Sequence, residues 1–129
     1  MLPAIFFGHG NPMNVVTQNI YTEARWRLGT EIPKPKTILS ISAHWFVPGV
    51  GVTVSTFETE AKQMMLAGEH KPLVEYEKLG PNALLSIPTP DHYLPLLYVI
   101  ATAQRREKVS FPVEGVDGGS ISMLCVKVG

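Results

Sequence analysis

The first half of the chain places two apolar runs on either side of a helix-like segment. "LPAIFF" (2–7) leads into "GHGNPM", a stretch with helical spacing reaches Leu28, and the proline-rich connector "EIPKPK" delivers the chain into "TILSISAHWF", which ends at Phe46. No other feature constrains the fold as strongly. Two buried strands joined through a helix predict a right-handed βαβ unit with parallel strands. The expected fold class is therefore α/β, a mainly parallel sheet with flanking helices.

The remaining elements follow from periodicity and punctuation. Ile20, Tyr21, Ala24 and Leu28 recur at helical spacing, so a helix is expected from Thr17 to Leu28, stopped by Gly29. "VGVTVS" (50–55) alternates as a third strand. Residues 57–67 read as a helix with Phe57, Ala61, Met64 and Met65 on one face, a stripe that fits core packing. A short helix is expected at 71–78, followed by an irregular stretch over 79–88. "TPDHYLPLLYVIATAQ" opens with Thr89 as N-cap and Pro90 at the first helical position. Pro95 then falls in the second turn and loosens it. "VSFPVEGVDGGS" is turn-rich, and "ISMLCVKV" closes the chain as a strand.

At 129 residues, with 45% apolar and 17% charged side chains, the chain suits one domain (1–129) able to bury a core. Eleven basic residues balance eleven acidic ones, which removes the electrostatic case for nucleic acid or an anionic membrane as partner. Small molecules and other proteins remain. Cys125 is the single cysteine, so no internal disulfide can form. It reads as a packed thiol on the last strand. "MLPAIFF" has neither the basic start nor the cleavage site of a signal peptide, and no apolar run reaches spanning length. A cytoplasmic protein is expected.

Four histidines carry the chemistry on offer. His9 lies just past the first strand and His44 at the end of the second. In a parallel sheet both rings project at the carboxyl edge, where open α/β sheets bind ligands. The glycines flanking His9 permit a sharp turn and leave space for a bound group. His92 takes the third helical position after Thr89, where the helix N-terminus favours the neutral ring that a metal needs. Asp91 can orient a ligand ring or act as a base. His70, between charged residues, reads as solvated. Asn11 and Pro12 shape the loop behind His9. Trp45 and Tyr93 stand beside candidate ligands, where they wall a substrate pocket or fill the core. The chain has no HExxH, CxxC, phosphate loop or serine elbow.

"PAIFFGHGNPMNVV", "SISAHWF", "PTPDHYLPLLYVIA" and "PVEGVDGGSISMLCVKVG" together resemble the class III extradiol ring-cleavage dioxygenases, in particular the 4,5-DOPA dioxygenase branch. The resemblance covers nearly the whole chain. It implies a shortened form of that family's fold and a non-haem Fe(II), replaceable by Zn(II), in an open site. It also implies a catechol substrate cleaved with O2 to a muconic semialdehyde. Carried over by motif, His9, His44 and His92 are the metal ligands. Residues 1–55 match the family's N-terminal part and 57–129 its C-terminal part. The central part is missing, and with it the acid–base histidine; His70 belongs to the C-terminal part and does not replace it. The bare faces left by such a deletion imply a homo-oligomer. The rival readings are a catalytically inactive metal-binding remnant, a subunit of a larger assembly, and zinc-assisted hydrolysis with Asp91 or Glu114 as base.

Overall fold

The computed structural model describes residues 2–40, 55–104, 107–117 and 121–129. The first and last strands meet in one sheet. β1 (Ala4–Phe7) pairs antiparallel with β5 (Cys125–Val128), Ala4 opposite Val128 and Phe7 opposite Cys125. β2 (Val109–Val113) pairs antiparallel with the other edge of β5, giving the order β1-β5-β2. Between Ser110 and Val113 the register slips, at Phe111 and Pro112, where the proline has no N–H for the ladder. β3 (Val116–Asp117) and β4 (Ile121–Ser122) pair with each other, and the Met123 amide donates to the Gly115 carbonyl at 2.9 Å. β2 to β5 thus form one long, irregular hairpin.

The described sheet is antiparallel, which corrects the expected parallel one. Its central strand is the chain's last, folded back by the hairpin, so the ladder is set by long-range pairing instead of by the succession of the first elements. The second strand of the expected βαβ unit lies outside the described residues beyond Ser40, as does most of "VGVTVS"; Ser55, its last residue, is already helical.

Five helices accompany the sheet among the described residues. α1 (Ile20–Glu31) starts later than expected and runs through Gly29. Asn19 caps it, accepting from the Tyr21 and Thr22 amides at 2.9 and 3.0 Å, while the Asn19 amide donates to Thr22 Oγ1 at 2.9 Å. α2 (Ser55–Ala67) buries Phe57, Ala61 and Met65, the stripe its spacing suggests. α3 (His70–Val74) passes into a 3-10 turn, and the segment expected to be irregular contains α4 (Pro81–Ser86). Here Pro81 begins a helix at the one position where its missing N–H costs nothing.

α5 (Leu94–Ala101) begins five residues after Thr89. The Thr89 hydroxyl donates to Asp91 Oδ2 at 3.1 Å and caps no helix. Pro95 decides the boundary: it would leave one helical bond unmade and crowd the carbonyl a turn earlier, so it sits in the first turn of α5. Residues 90–94 form one separate turn, with the Leu94 amide on the Pro90 carbonyl at 2.8 Å.

The main core joins α2, α3, α4, Tyr93 and α5 to Leu124 and Val126. Cys125 points to the opposite face, where the Arg25 side chain from α1 reaches it. The thiol is fully buried, and burial pushes its pKa up despite the neighbouring guanidinium. Cys125 is therefore expected to resist Ellman's reagent in the native protein. Its labelling rate should follow global unfolding across a urea series; fast labelling without urea would contradict this packing.

Candidate functional site

β1 ends at Phe7, and the next three residues carry His9 into an open cleft. Main-chain groups fix the turn. The Gly8 amide donates to the Leu124 carbonyl at 2.8 Å, and Arg25 Nη2 donates to the Gly8 carbonyl at 2.6 Å. Gly10 adopts a positive φ of 61°. Asn11 caps the 3-10 turn Pro12–Val15, accepting from the Met13 amide at 2.9 Å.

The positive φ of Gly10 fits the sharp turn expected there, and the space the two glycines leave is taken up by the chain itself. A Cβ on Gly8 would stand 2.4 Å from the Leu124 carbonyl oxygen, and one on Gly10 2.3 Å from Met123 Sδ. Both make room for the Met123–Leu124 segment entering β5, not for a ligand.

His92 sits in the turn before α5, so the expected third helical position is corrected to a pre-helical one. Its ring centroid is 6.5 Å from that of His9, with the planes tilted by 53°. Two imidazoles bound to one ion through bonds of about 2.0–2.1 Å have centroids roughly 4.5–6 Å apart. His9 Nδ1 lies 2.8 Å from the Gly10 carbonyl. A carbonyl can only accept, so in the neutral ring Nδ1 carries the proton and the lone pair is on Nε2. Both residues are of a type that binds non-haem metals and both line the cleft, with their centroids slightly beyond the range for two rings on one ion. Among the described residues no group of three His, Cys, Asp or Glu is placed to hold an ion. His44 and Trp45 lie outside the described residues.

The cleft has a volume of about 1620 Å³. Its walls are largely apolar, with Phe6, Ile38, Leu96 and Tyr98 among them, and it takes in both His9 and His92. Glu58 is its one carboxylate among the described lining residues. Its Oε2 is buried and has no hydrogen-bond partner. Nothing in the spacing marks Glu58, since it reads as an ordinary first-turn acid of α2.

Tyr93 also lines the cleft, whereas His70 and Glu114 are not among its lining residues. The Tyr93 hydroxyl donates to the Leu73 carbonyl at 2.9 Å, and its ring packs against Phe57 and Tyr76, so its polar end is committed to the core. Burial pushes that hydroxyl's pKa far above the usual tyrosine value. His70 is not solvated as expected: its Nε2 is buried without a hydrogen-bond partner. Glu114 is exposed and pairs with Lys62, which lies over the Phe111 ring.

Comparison with known proteins gives one curated relative and one solved structure of note. The 4,5-DOPA dioxygenase extradiol of Escherichia coli (strain K12) is 25% identical over 257 residues, a match that takes in 99% of this chain and 95% of that protein. The chain is similar to an extradiol dioxygenase. The crystal structure of the uncharacterized protein JW3007 from Escherichia coli K12 shares the fold, with a TM-score of 0.75, 24% identity and full coverage of both chains. No family model matches the chain. No helix among the described residues is long and apolar enough to cross a membrane.

Proposed function

We propose that the chain is a shortened metal-dependent extradiol ring-cleavage dioxygenase of the 4,5-DOPA dioxygenase type. The observation that carries this reading is the approach of His9 and His92, from opposite halves of the chain, to 6.5 Å between ring centroids in an open cleft. The similarity to a 4,5-DOPA dioxygenase extradiol supports it. That match extends over 257 residues, whereas this chain has 129, so about half of the aligned positions face a gap within it. This supports the absence of a central part.

In this reading His9, His92 and His44 hold non-haem Fe(II), with Zn(II) as a possible substitute. Three protein ligands leave positions for both catechol oxygens and for O2, which the ion activates when bound. His9 contributes Nε2, fixed as the lone-pair nitrogen by its bond to Gly10. The apolar walls hold the catechol ring and keep water from its faces. The family's acid–base histidine has no counterpart, and general acid–base help is typically worth roughly a hundredfold to ten-thousandfold. Glu58 is the carboxylate on hand to accept the catechol proton. A second copy of the chain covers the apolar surface bared by the missing part, which includes the exposed Val16, Ile20 and Trp26. The setting proposed is cytoplasmic.

The test is oxygen uptake by anaerobically iron-loaded protein given L-DOPA. Uptake with a yellow semialdehyde product is expected, abolished in His9→Ala, His92→Ala and His44→Ala. Glu58→Gln is expected to lower kcat about a hundredfold while leaving iron content unchanged. Stoichiometric iron without uptake would instead leave the chain as a metal-binding remnant. Sedimentation velocity is expected to give a dimer, and a monomer at high concentration would remove the oligomer from the proposal.

A further inference from the structure

His9 is an exposed residue between two glycines. Its main chain is gripped by α1 at two points. From the second turn, Arg25 Nη2 donates to the carbonyl of Gly8 at 2.6 Å. From the cap, Asn19 Nδ2 donates to Asn14 Oδ1 at 2.8 Å, and Asn14 Nδ2 donates to the carbonyl of His9 itself at 3.2 Å. The same Asn19 side chain accepts the Tyr21 and Thr22 amides. One residue therefore both starts the helix and ties it to the histidine loop.

Arg25 is the unusual member. It is half-buried, and its Nε is buried with no hydrogen-bond partner. The ion pairs of the described residues are Lys62–Glu114 and Lys78–Glu75, and Arg25 is in neither. A guanidinium drawn out of water without a carboxylate is a net cost to folding. An apolar residue would fill the place beside Cys125 more cheaply, but it could not hold the Gly8 carbonyl.

We propose that Arg25 and Asn14 are positioning residues for the metal site, acting through the main chain of Gly8 and His9 to aim the His9 ring. The proposal rests on the reading of His9 as a ligand. Arg25 fixes the peptide plane entering His9, and Asn14 fixes the one leaving it. With both planes set, the ring reaches Gly10 through Nδ1 and presents Nε2 to the cleft. Groups that orient a ligand in this way typically change metal affinity by about 10–100-fold when removed.

The experiment combines a titration of the full chain with Co(II), followed by visible absorption, with 15N spectra of the His9 ring in the metal-free protein. Arg25→Met and Asn14→Ala are expected to weaken Co(II) binding at least tenfold while both variants remain folded by circular dichroism. In the metal-free variants the His9 ring nitrogens are expected to shift toward averaged values as the second tautomer becomes populated. Arg25→Lys keeps a donor within reach of Gly8 and is expected to recover most of the affinity. A purely structural role would lower Tm and leave both readouts unchanged, which would overturn the proposal. If wild-type and His9→Ala bind Co(II) equally well, the ligand reading fails. The ring spectra then decide alone, and unchanged His9 resonances in Arg25→Met and Asn14→Ala overturn the positioning. Should Arg25→Met fail to fold, Asn14→Ala and Arg25→Lys carry the same comparison.

Discussion

Replacing Gly8 by alanine is expected to lower the free energy of unfolding by about 3 kcal/mol or more, the largest effect of a methyl addition at any described glycine. The reason is space, not dihedral preference, since Gly8 is not among the glycines with positive φ. The added Cβ would meet Leu124 O at 2.4 Å, Leu124 N at 3.0 Å and the Met123 carbonyl carbon at 3.1 Å. All three are main-chain atoms, so no rotamer change relieves them. Leu124 O is also the acceptor for the Gly8 amide at 2.8 Å. Separating the clash thus breaks the bond that joins the exit of β1 to the entry of β5, and it pulls Gly8 O away from Arg25. Gly10→Ala is the informative contrast. It places Cβ at 2.3 Å from Met123 Sδ, a thioether that can move, and adds the strain of a φ of 61°. Its expected cost is about 1–2 kcal/mol. Urea denaturation of the two variants measures both. A Gly8→Ala midpoint equal to wild type would mean that the histidine turn is not pinned to β5.

The parts of the fold that could be read locally are those with a local cause. The Phe57–Ala61–Met65 stripe forms the buried side of α2, and Cys125 packs inside the last strand. Sheet direction had no such cause. β1 pairs with β5 from the far end of the chain, and nothing in "AIFF" or "CVKV" states which partner or direction wins. Two helix starts were misread because competing signals overlap. Asn19 with Thr22 makes the working cap of α1, although Thr17 precedes it. Pro95 outweighs the Thr89–Pro90 pair at α5, because a proline inside a helix costs about 3 kcal/mol and a cap contributes about 1. Gly29 did not stop α1: a Cβ there would meet nothing within 4 Å, so the helix loses only propensity. At the site, His9 was legible beside His44 as a residue at a strand end, and His92 as a neutral ring near a helix start, while the resemblance is what joined the three into one ligand set. Arg25, Asn14 and Glu58 were not legible. Their roles arise from which main-chain groups and cleft walls the tertiary fold brings beside them.

Tyr93→Ala is expected to be nearly as damaging as Gly8→Ala, at about 3–5 kcal/mol, and for a reason that separates core from site. The ring is buried, with the Tyr76 ring at 5.3 Å edge-on and the Phe57 ring at 6.3 Å. Its truncation leaves a cavity where α2, the 3-10 turn after α3 and the start of α5 meet. It also orphans the carbonyl of Leu73, a residue with no exposed surface. Tyr93→Phe keeps the ring and loses only the hydrogen bond, an expected cost of about 1–2 kcal/mol. If the hydroxyl belongs to the core, Tyr93→Phe leaves catechol affinity at the wild-type value; a weaker affinity at unchanged stability would return Tyr93 to the substrate pocket. A pH series gives the same answer by another route. Burial raises this hydroxyl's pKa above its ordinary 10.0, so above pH 10 the unfolded chain releases a proton that the native state retains. The contribution is whole below pH 10 and is lost as pH rises beyond it. Cys125, raised from 9.0 by its own burial, adds a loss that begins lower. Tm should therefore fall more steeply above pH 10 in wild type than in Tyr93→Phe, in which the Cys125 part and that of Tyr76, also raised from 10.0, by burial first, remain. Equal slopes would mean that the Tyr93 hydroxyl is open to solvent and that its bond to Leu73 does not hold β5's helical cover together.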